Sequence, residues 1–379
     1  MHILADQNIP FAKQAFAHLG EVSTFVGRDL SAKEAADADV LLVRSVTRVD
    51  ATLLAGSAVK FVGSATIGTD HIDLDYLQQH NIRFANAPGS NATSASEYVL
   101  AALLQVVMSQ QLALEKLQVG IVGYGNVGSR VGNLFQALGL SCHIYDPPRQ
   151  QQVSDIEYCD WQTICACDVV TAHVPLTRDG DYPTYRMFDQ AFFAALKAGA
   201  VFINTARGEA VDEATLLMRL AQTPLHLVLD VWQNEPHINP QLVRKTLIST
   251  PHIAGYSYDG KLRGTDMVYQ AVCQHFDVEP QWTMQAELNE ANTLLQMNAM
   301  PDFIASLQQL VRQAYDVSQD SEQLREILAM DDTQAAAHFD ALRKHYPKRR
   351  EFSHYDVALG QCSAQQQQII SQLGFNVCR

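Results

Sequence analysis

The chain has 379 residues, 47% hydrophobic and 18% charged, the profile of a globular protein with two or three domains, each able to bury its own core. Its formal net charge of −14 argues against general nucleic-acid binding, which relies on Lys and Arg to neutralise phosphates, and leaves room only for a local cationic pocket. Seven cysteines at irregular spacing point to free thiols in a reducing compartment, and Cys165-Ala-Cys167 has neither zinc-knuckle nor redox-pair spacing, so no metal is expected.

The opening "MHILADQNIP" carries no basic region and no long apolar stretch, so no signal peptide is expected. No segment approaches about 18 uninterrupted apolar residues, the length of a membrane span. The expectation is a cytoplasmic protein with no membrane partner. "HILAD" reads as a strand and "PFAKQAFAHLG" as a helix ending on Gly20. "DVLLVRS" and "KFVGSA" are the next two strands, "HIDLDYLQQHN" a helix and "IRFANAP" another strand. Strands alternating with helices imply βαβ units and a parallel sheet. Such sheets bind ligands beyond the carboxyl ends of their strands, which makes Arg44, Ser45, Thr66, Gly68, Pro88 and Gly89 candidates.

"NATSASEYVLAALLQVVMSQ" predicts a long apolar helix with a Ser/Thr-rich start. A second α/β pattern follows, to about residue 255. It begins with the strand "LQVGIV", a turn carrying Gly123, Gly125, Asn126, Val127 and Gly128, the helix "SRVGNLFQALG", and the strand "SCHIYD". A bare GxGxxG is weak evidence. Between a strand and a helix it predicts a tight turn, close backbone approach to a pyrophosphate, and phosphates on the helix N-terminus. Asp146 follows Gly128 at near the spacing expected of a carboxylate that accepts from both ribose hydroxyls and repels a 2′-phosphate. NAD is therefore favoured over NADP, with Arg149 the one nearby residue pointing the other way.

Three later stretches also follow strand-like runs. "AVFINTARGEAVDEATL" carries Arg207, "LHLVLDVWQNEP" carries Asp230 and Glu235, and "LISTPHIAG" carries His252. Alone, each has an ordinary reading: a surface ion pair, a solvated loop charge, a buried core histidine. Behind a dinucleotide fold they form a set. An imidazole, with an unperturbed pKa of about 6.5, can take a hydroxyl proton while hydride leaves for nicotinamide. Glu235 can orient the ring and favour its protonated form. Arg207 can hold a carboxylate through two parallel N–H bonds. Beyond residue 285 the texture changes. "DFIASLQQLVRQAYDVSQDSEQLREILAM" is helical and amphipathic, and "HYDVALG", "SAQQQQIISQLG" and "FNVCR" read as strand, helix, strand.

"VGIVGYGNVG…YDPP", "NTARGEAVDEATL", "DVWQNEP" and "PHIAG" resemble the D-2-hydroxyacid dehydrogenase family over roughly residues 1–285. The resemblance implies NAD as cofactor and an Arg–Glu–His catalytic set at Arg207, Glu235 and His252. It implies two Rossmann-like, doubly wound parallel-sheet domains: a flavodoxin-like substrate domain (1–93 and 256–285) and an NAD-binding domain (94–255). "LLVRSVTRVD", "FVGSATIGTDHID", "PHIAGYSYDGKLRGT" and "LRKHYPKRREFSHYDVALG" are similar to a branch acting on a small phosphorylated 2-hydroxy acid. That branch carries a small C-terminal α/β dimerisation domain, here 286–379, implying a homodimer. By the same resemblance Ser45, Thr66 and Tyr256 contact substrate, while Val174, Ala206, Arg207, Asp230 and Gly255 line the NAD site.

Residue type alone adds Arg44, a cation after a strand that suits the substrate phosphate. It also singles out the basic cluster Arg343, Lys344, Lys348, Arg349 and Arg350, which a dimer could bring to the partner's active site. Ser64 and Ile67 stand where the relatives' loop is expected to hold Thr and Ala, and His71 reads as a loop-packing residue. Two alternatives stay open. One is a dehydrogenase for another acid, such as 3-phosphoglycerate. The other is an NAD(H)-sensing binding protein on the same scaffold.

Overall fold

Five short strands build the sheet of the first unit: β1 (His2–Asp6), β2 (Glu21–Phe25), β3 (Val40–Val43), β4 (Phe61–Ser64) and β5 (Arg83–Asn86). All pairs are parallel, in the order β2-β1-β3-β4-β5. The computed structural model describes residues 1–298, 300 and 302–378. It divides into two compact units, Met1–Asn91 with Ser257–Ala291, and Ala92–Tyr256 with Asn292–Arg379. Sequence patterning marks no strand at Glu21–Phe25. The reason is its place: β2 is an edge strand in which only Phe25 is buried, so it needs no apolar run.

One face of this first sheet is covered by a helix that arrives late in the chain, Tyr258–His275. Its Leu262, Val268, Tyr269 and Val272 join Ile3, Val40 and Phe61 in one cluster. Gly63 on β4 permits the approach, since a Cβ there would lie 2.4 Å from a Val268 methyl.

The second unit contains β6 (Gln118–Val122), β7 (Ser141–Tyr145), β8 (Val169–Ala172), β9 (Val201–Asn204), β10 (His226–Leu229) and β11 (Ile248–Ser249). They run parallel in the order β11-β10-β9-β8-β6-β7, so the sheet reverses direction of growth between β6 and β8. Helix Ala92–Gln110 has the length and mean hydropathy, 1.2, of a membrane span, yet 78% of that stretch is buried. Its apolarity reflects packing on every side, as expected for a helix inside a protein core.

The tail adds β12 (Thr293–Met297), β13 (Tyr355–Leu359) and β14 (Asn376–Cys378), parallel in that order. The single amphipathic stretch anticipated after residue 301 is two helices, Phe303–Ala314 and Val317–Arg325. Asp316 separates them by capping the second, its carboxylate accepting the Ser318 N–H at 3.1 Å. Leu295, Val357, Phe352 and Ile370 of the tail share one hydrophobic cluster with Val119, Ile121 and Tyr98. The change of composition near residue 286 therefore does not mark a separate core: 292–379 and 92–256 are one compact unit.

Candidate active site

The glycine turn sits at the switch point beside β6. Gly123 has φ +87°, and a Cβ there would lie 2.7 Å from the His173 carbonyl oxygen. A Cβ on Gly128 would fall 2.0 Å from the Gly123 oxygen, so neither position accepts a side chain without moving backbone. Gly125 differs: its Cβ would meet open space, and it is the N-cap of the 12-residue helix Asn126–Ala137, where no side chain caps the free N–H groups. An uncapped helix start faced by open space suits a pyrophosphate. Asp146 follows β7, its carboxylate aimed by two backbone N–H groups, Tyr124 at 2.7 Å and Arg149 at 3.0 Å. Its remaining lone pairs can accept from ribose hydroxyls. Val174 follows β8 beside the Gly123 turn. His173, just before it, is bonded on both ring nitrogens to threonine hydroxyls, Thr171 at 2.9 Å and Thr205 at 3.2 Å. Burial pushes its pKa down to about 3, so it stays neutral and structural.

Arg207, Glu235 and His252 lie beyond the carboxyl ends of three neighbouring strands, β9, β10 and β11. Asn204 fixes the first loop: its Oδ1 accepts the Ala206 N–H at 3.0 Å and its Nδ2 donates to the Arg207 oxygen at 3.1 Å. Arg207 Nη1 donates to the Ala206 carbonyl at 2.8 Å. A Cβ on Gly208 would lie 1.9 Å from the Trp232 oxygen, which shows how closely this loop meets the one carrying Glu235.

Glu235 holds two groups at once. Oε1 accepts the Trp232 N–H at 3.0 Å, and Oε2 lies 2.7 Å from His252 Nδ1. With Nδ1–H donating to the carboxylate, Nε2 of the neutral ring is an acceptor, and no described residue bonds it. The His252 side chain is 35% exposed, enough to meet a substrate hydroxyl. Burial works to raise the Glu235 pKa, but the His252 charge and hydrogen bond, the Arg343 charge and the Trp232 N–H outweigh it and hold the carboxyl below its ordinary range. Glu213, 2.8 Å from the Gln233 N–H, is pushed up to about 7 by burial, with Glu235 and Glu209 adding to the rise against that one bond.

Asp230 is 1% exposed and organises the histidine loop. Oδ1 accepts from the Thr250 hydroxyl at 2.6 Å and the Ile253 N–H at 2.8 Å, and Oδ2 accepts the Ala254 N–H at 2.9 Å. The Asp230 carbonyl takes the His252 N–H at 2.7 Å. This tight web holds His252 at φ 58°, a left-handed conformation that costs a non-glycine residue about 1–3 kcal/mol and persists only where its surroundings enforce it. Tyr98 and Trp232 close the back of the loop, through Thr250 Oγ1 at 2.7 Å and the Thr250 carbonyl at 2.9 Å.

In the first unit, Arg44 and Ser45 follow β3, and Thr66 lies just past β4. Thr66 Oγ1 is 2.8 Å from the Ser64 hydroxyl, which lies 3.2 Å from His71 Nε2. Lys261, on the Tyr258–His275 helix, has its pKa lowered to about 8 by burial and by the neighbouring Arg44 charge. Two cations that repel each other at the carboxyl end of a sheet fit a dianionic ligand. Tyr256 belongs to the other unit, with His252. Gly255 lies within the same His252–Tyr256 loop.

Sequence patterning missed Asn204, Glu213, Thr250 and Lys261. All four lie within quoted stretches, Asn204 and Glu213 in "NTARGEAVDEATL", Thr250 in "LISTPHIAG" and Lys261 in "SYDGKLRGT", but none has a residue type that set it apart from its neighbours. Arg349 and Arg350, read as a surface cluster facing a partner, are 6% and 7% exposed and packed within their own unit.

These elements define an NAD-type dehydrogenase site, and comparison with known proteins agrees. Residues 94–254 match the family described as D-isomer specific 2-hydroxyacid dehydrogenase, NAD binding domain, and residues 288–374 match a domain family of unknown function, DUF3410. The erythronate-4-phosphate dehydrogenase of Marinomonas sp. (strain MWYL1) is 42% identical over 381 residues, covering 100% of this chain and 99% of the relative. That of Pseudomonas entomophila (strain L48) is 43% identical, covering 99% and 98%. Among solved structures, the NAD-bound formate dehydrogenase of Staphylococcus aureus superposes with a TM-score of 0.60 at 23% identity, covering 75% of this chain and 98% of its own. The NAD+-bound 3-phosphoglycerate dehydrogenase of Entamoeba histolytica gives 0.62 at 24%, covering 73% and 95%. The chain belongs to the D-isomer specific 2-hydroxyacid dehydrogenases, within the group of erythronate-4-phosphate dehydrogenases.

Proposed function

We propose that the protein oxidises 4-phospho-D-erythronate with NAD to 3-hydroxy-2-oxo-4-phosphooxybutanoate, a step of pyridoxal 5′-phosphate biosynthesis. The observation that carries the chemistry is the 2.7 Å Glu235–His252 bond with Nε2 left open to substrate. The full-length identity to erythronate-4-phosphate dehydrogenases supports the substrate.

Bound NAD supplies the hydride acceptor, held by the Gly123–Gly128 turn and Asp146. Arg207 clamps the substrate carboxylate and polarises the adjoining carbon. His252 Nε2 takes the proton of the neighbouring hydroxyl as that carbon loses hydride. Glu235 stabilises the imidazolium and keeps the ring oriented. On the first unit, Arg44 and Lys261 supply the charge for a phosphate, beside Ser45 and Thr66; on the second, Tyr256 is assigned to substrate together with His252.

We assign residues 286–379 to dimerisation and the protein to the cytoplasm, without nucleic-acid or membrane partners. The separate family match at 288–374, outside the NAD-binding family match at 94–254, supports a distinct role for the tail. Light scattering on the full chain tests the dimer, and a monomer at micromolar concentration would remove it.

The deciding assay is NADH formation with 4-phospho-D-erythronate beside erythronate, D-glycerate and 3-phosphoglycerate. Near-stoichiometric enzyme keeps a slowly released cofactor visible. Strong preference for the phosphorylated four-carbon acid is expected. Preference for another acid moves the substrate and keeps the catalytic set. Failure with all four, despite bound NAD, favours a sensing role.

A further inference from the structure

The Ala254 peptide, just past His252, is held from both sides. Asp230 Oδ2 takes its N–H at 2.9 Å, and its carbonyl accepts from Nη1 of Arg349 at 3.3 Å, a residue 95 positions later in the chain. The other arm of that guanidinium, Nη2, donates to the Ser94 carbonyl at 2.8 Å and lies 3.7 Å from Glu97 Oε2. Its central carbon stands over the Tyr315 ring, 3.7 Å from the ring centre. Glu97 in turn accepts the Phe352 N–H at 2.7 Å, so the stretch carrying Arg349 is tied to helix Ala92–Gln110 from both partners. The tail also meets the loop on either side of this point. Ser321 Oγ accepts the Ser249 N–H at 3.0 Å where β11 ends, and Tyr346 meets the Tyr256 ring edge-on, with centres 5.7 Å apart at 84°. All of these residues are in one compact unit.

We infer that Arg349 is a positioning residue for the reaction: by holding the Ala254 carbonyl against the pull of Asp230 on the N–H, it fixes the rotation of that peptide and keeps the histidine loop in the form that presents His252 Nε2. The inference rests on the role proposed above for His252. Two observations carry it. His252 has φ 58°, a conformation that its surroundings must enforce, and hydrogen bonds on opposite edges of a neighbouring peptide do so. Arg349 is also only 6% exposed, and a guanidinium so buried is costly to desolvate. An apolar side chain would fill the space against Tyr315 without that cost, but it could bond neither carbonyl. The planar fork reaches both at once, where the single ammonium of a lysine cannot. Arg349 therefore acts on the site of its own chain.

The test is the single-turnover rate of Arg349→Met, His252→Gln and the double variant, on whichever acid the wild type oxidises, with NAD binding titrated in each. Arg349→Met is expected to bind NAD within about threefold of wild type and to lose about 10–100-fold in rate, the order of loss when a catalytic group is misplaced by about an ångström. In the His252→Gln background the same change is expected to cost less than about threefold, because no base is left to misplace. An equal factor in both backgrounds, or no loss in either, would overturn the inference and leave Arg349 a packing residue. Should Arg349→Met fail to fold, with Glu97 left buried without its cation, Arg349→Lys decides. It keeps the charge and loses the fork, so a smaller loss is expected, again confined to chains that retain His252; a wild-type rate, or an equal loss in both backgrounds, would overturn the inference. Coexpressing Arg349→Met with His252→Gln checks that the contact acts within one chain. The mixture is expected to show no more than the summed rates of its parts, and restored activity would mean that Arg349 serves the partner's site. A wild-type rate in His252→Gln alone would remove the role of the histidine and this inference with it, whereas a wrong role for Arg349 shows only in its own variants.

Discussion

The carboxyl ends of the two large sheets gather different kinds of polar group. Beyond β9, β10 and β11 the side chains and turns are tied down: Asn204 bonds both sides of its loop, Asp230 accepts three bonds from the histidine loop, and Glu235 is held at both oxygens. Beyond β3 and β4, Ser45 is exposed, and Arg44 and Lys261 are gathered despite repelling each other. The contrast follows from the work each end performs. A proton passes only along a fixed hydrogen bond, so its donor and acceptor must be immobilised before substrate arrives. A phosphate is recognised mainly by charge, which acts over several ångströms and tolerates a looser frame.

Substitutions can sharpen or break that contrast. The largest effect is expected from His252→Gln, a loss of roughly 10²–10⁴-fold in kcat with NAD affinity retained. A variant near the wild-type rate would remove His252 from the chemistry. Asp230→Ala should cost kcat on the order of 10²-fold by letting the histidine loop shift, although Asp230 need not touch the reacting atoms. An unchanged kcat would mean that the loop is rigid without it. On the charged side, Lys261→Met should raise KM for the phosphorylated acid about 10–100-fold with little change in kcat, and the wild-type KM should rise with salt. If kcat falls instead, Lys261 belongs to the immobilised half.

Smaller still is Glu235→Gln. A neutral partner favours the protonated imidazole less, so the acid limb of the rate profile should move to lower pH; an unmoved limb would count against the pairing. Stability carries its own sign. The Glu235 pKa is depressed in the fold, so its contribution is present above the ordinary value of about 4.3 and is lost as pH falls through the folded value. The gap in melting temperature between wild type and Glu235→Gln should therefore narrow on acidification, as thermal scans at several pH values would reveal.

Much of the fold is visible in the chain as apolar runs followed by glycine turns, and the Gly123–Gly128 motif locates the switch point because its steric demands fall on fixed positions. Arg207, Glu235 and His252 are legible for the same reason: each comes soon after a strand. Edge strands β2 and β12 escape notice because exposed polar residues such as Glu21 and Thr293 satisfy them. The tail's integration escapes because composition registers a change of texture but not shared burial. Arg349 is the sharpest case. Residue type singles out its cluster as one a dimer could bring to the partner's active site, and nothing local to it announces Ala254 of its own unit, whose carbonyl accepts from its Nη1 at 3.3 Å.

The first unit is interrupted, its covering helix Tyr258–His275 being encoded after the whole of residues 92–256. On the ribosome this imposes an order. The strands β1–β5 emerge early, but the helix that seals one face of their sheet must wait for the intervening segment, a delay of roughly 10–30 s at about 5–20 residues per second. Throughout that interval Ile3, Val40 and Phe61 lack the partners they have in the finished protein. The nascent chain therefore presents a sticky, half-built layer to the cell's chaperones, and a translational pause within residues 92–256 would lengthen that exposure without altering a single contact in the native molecule.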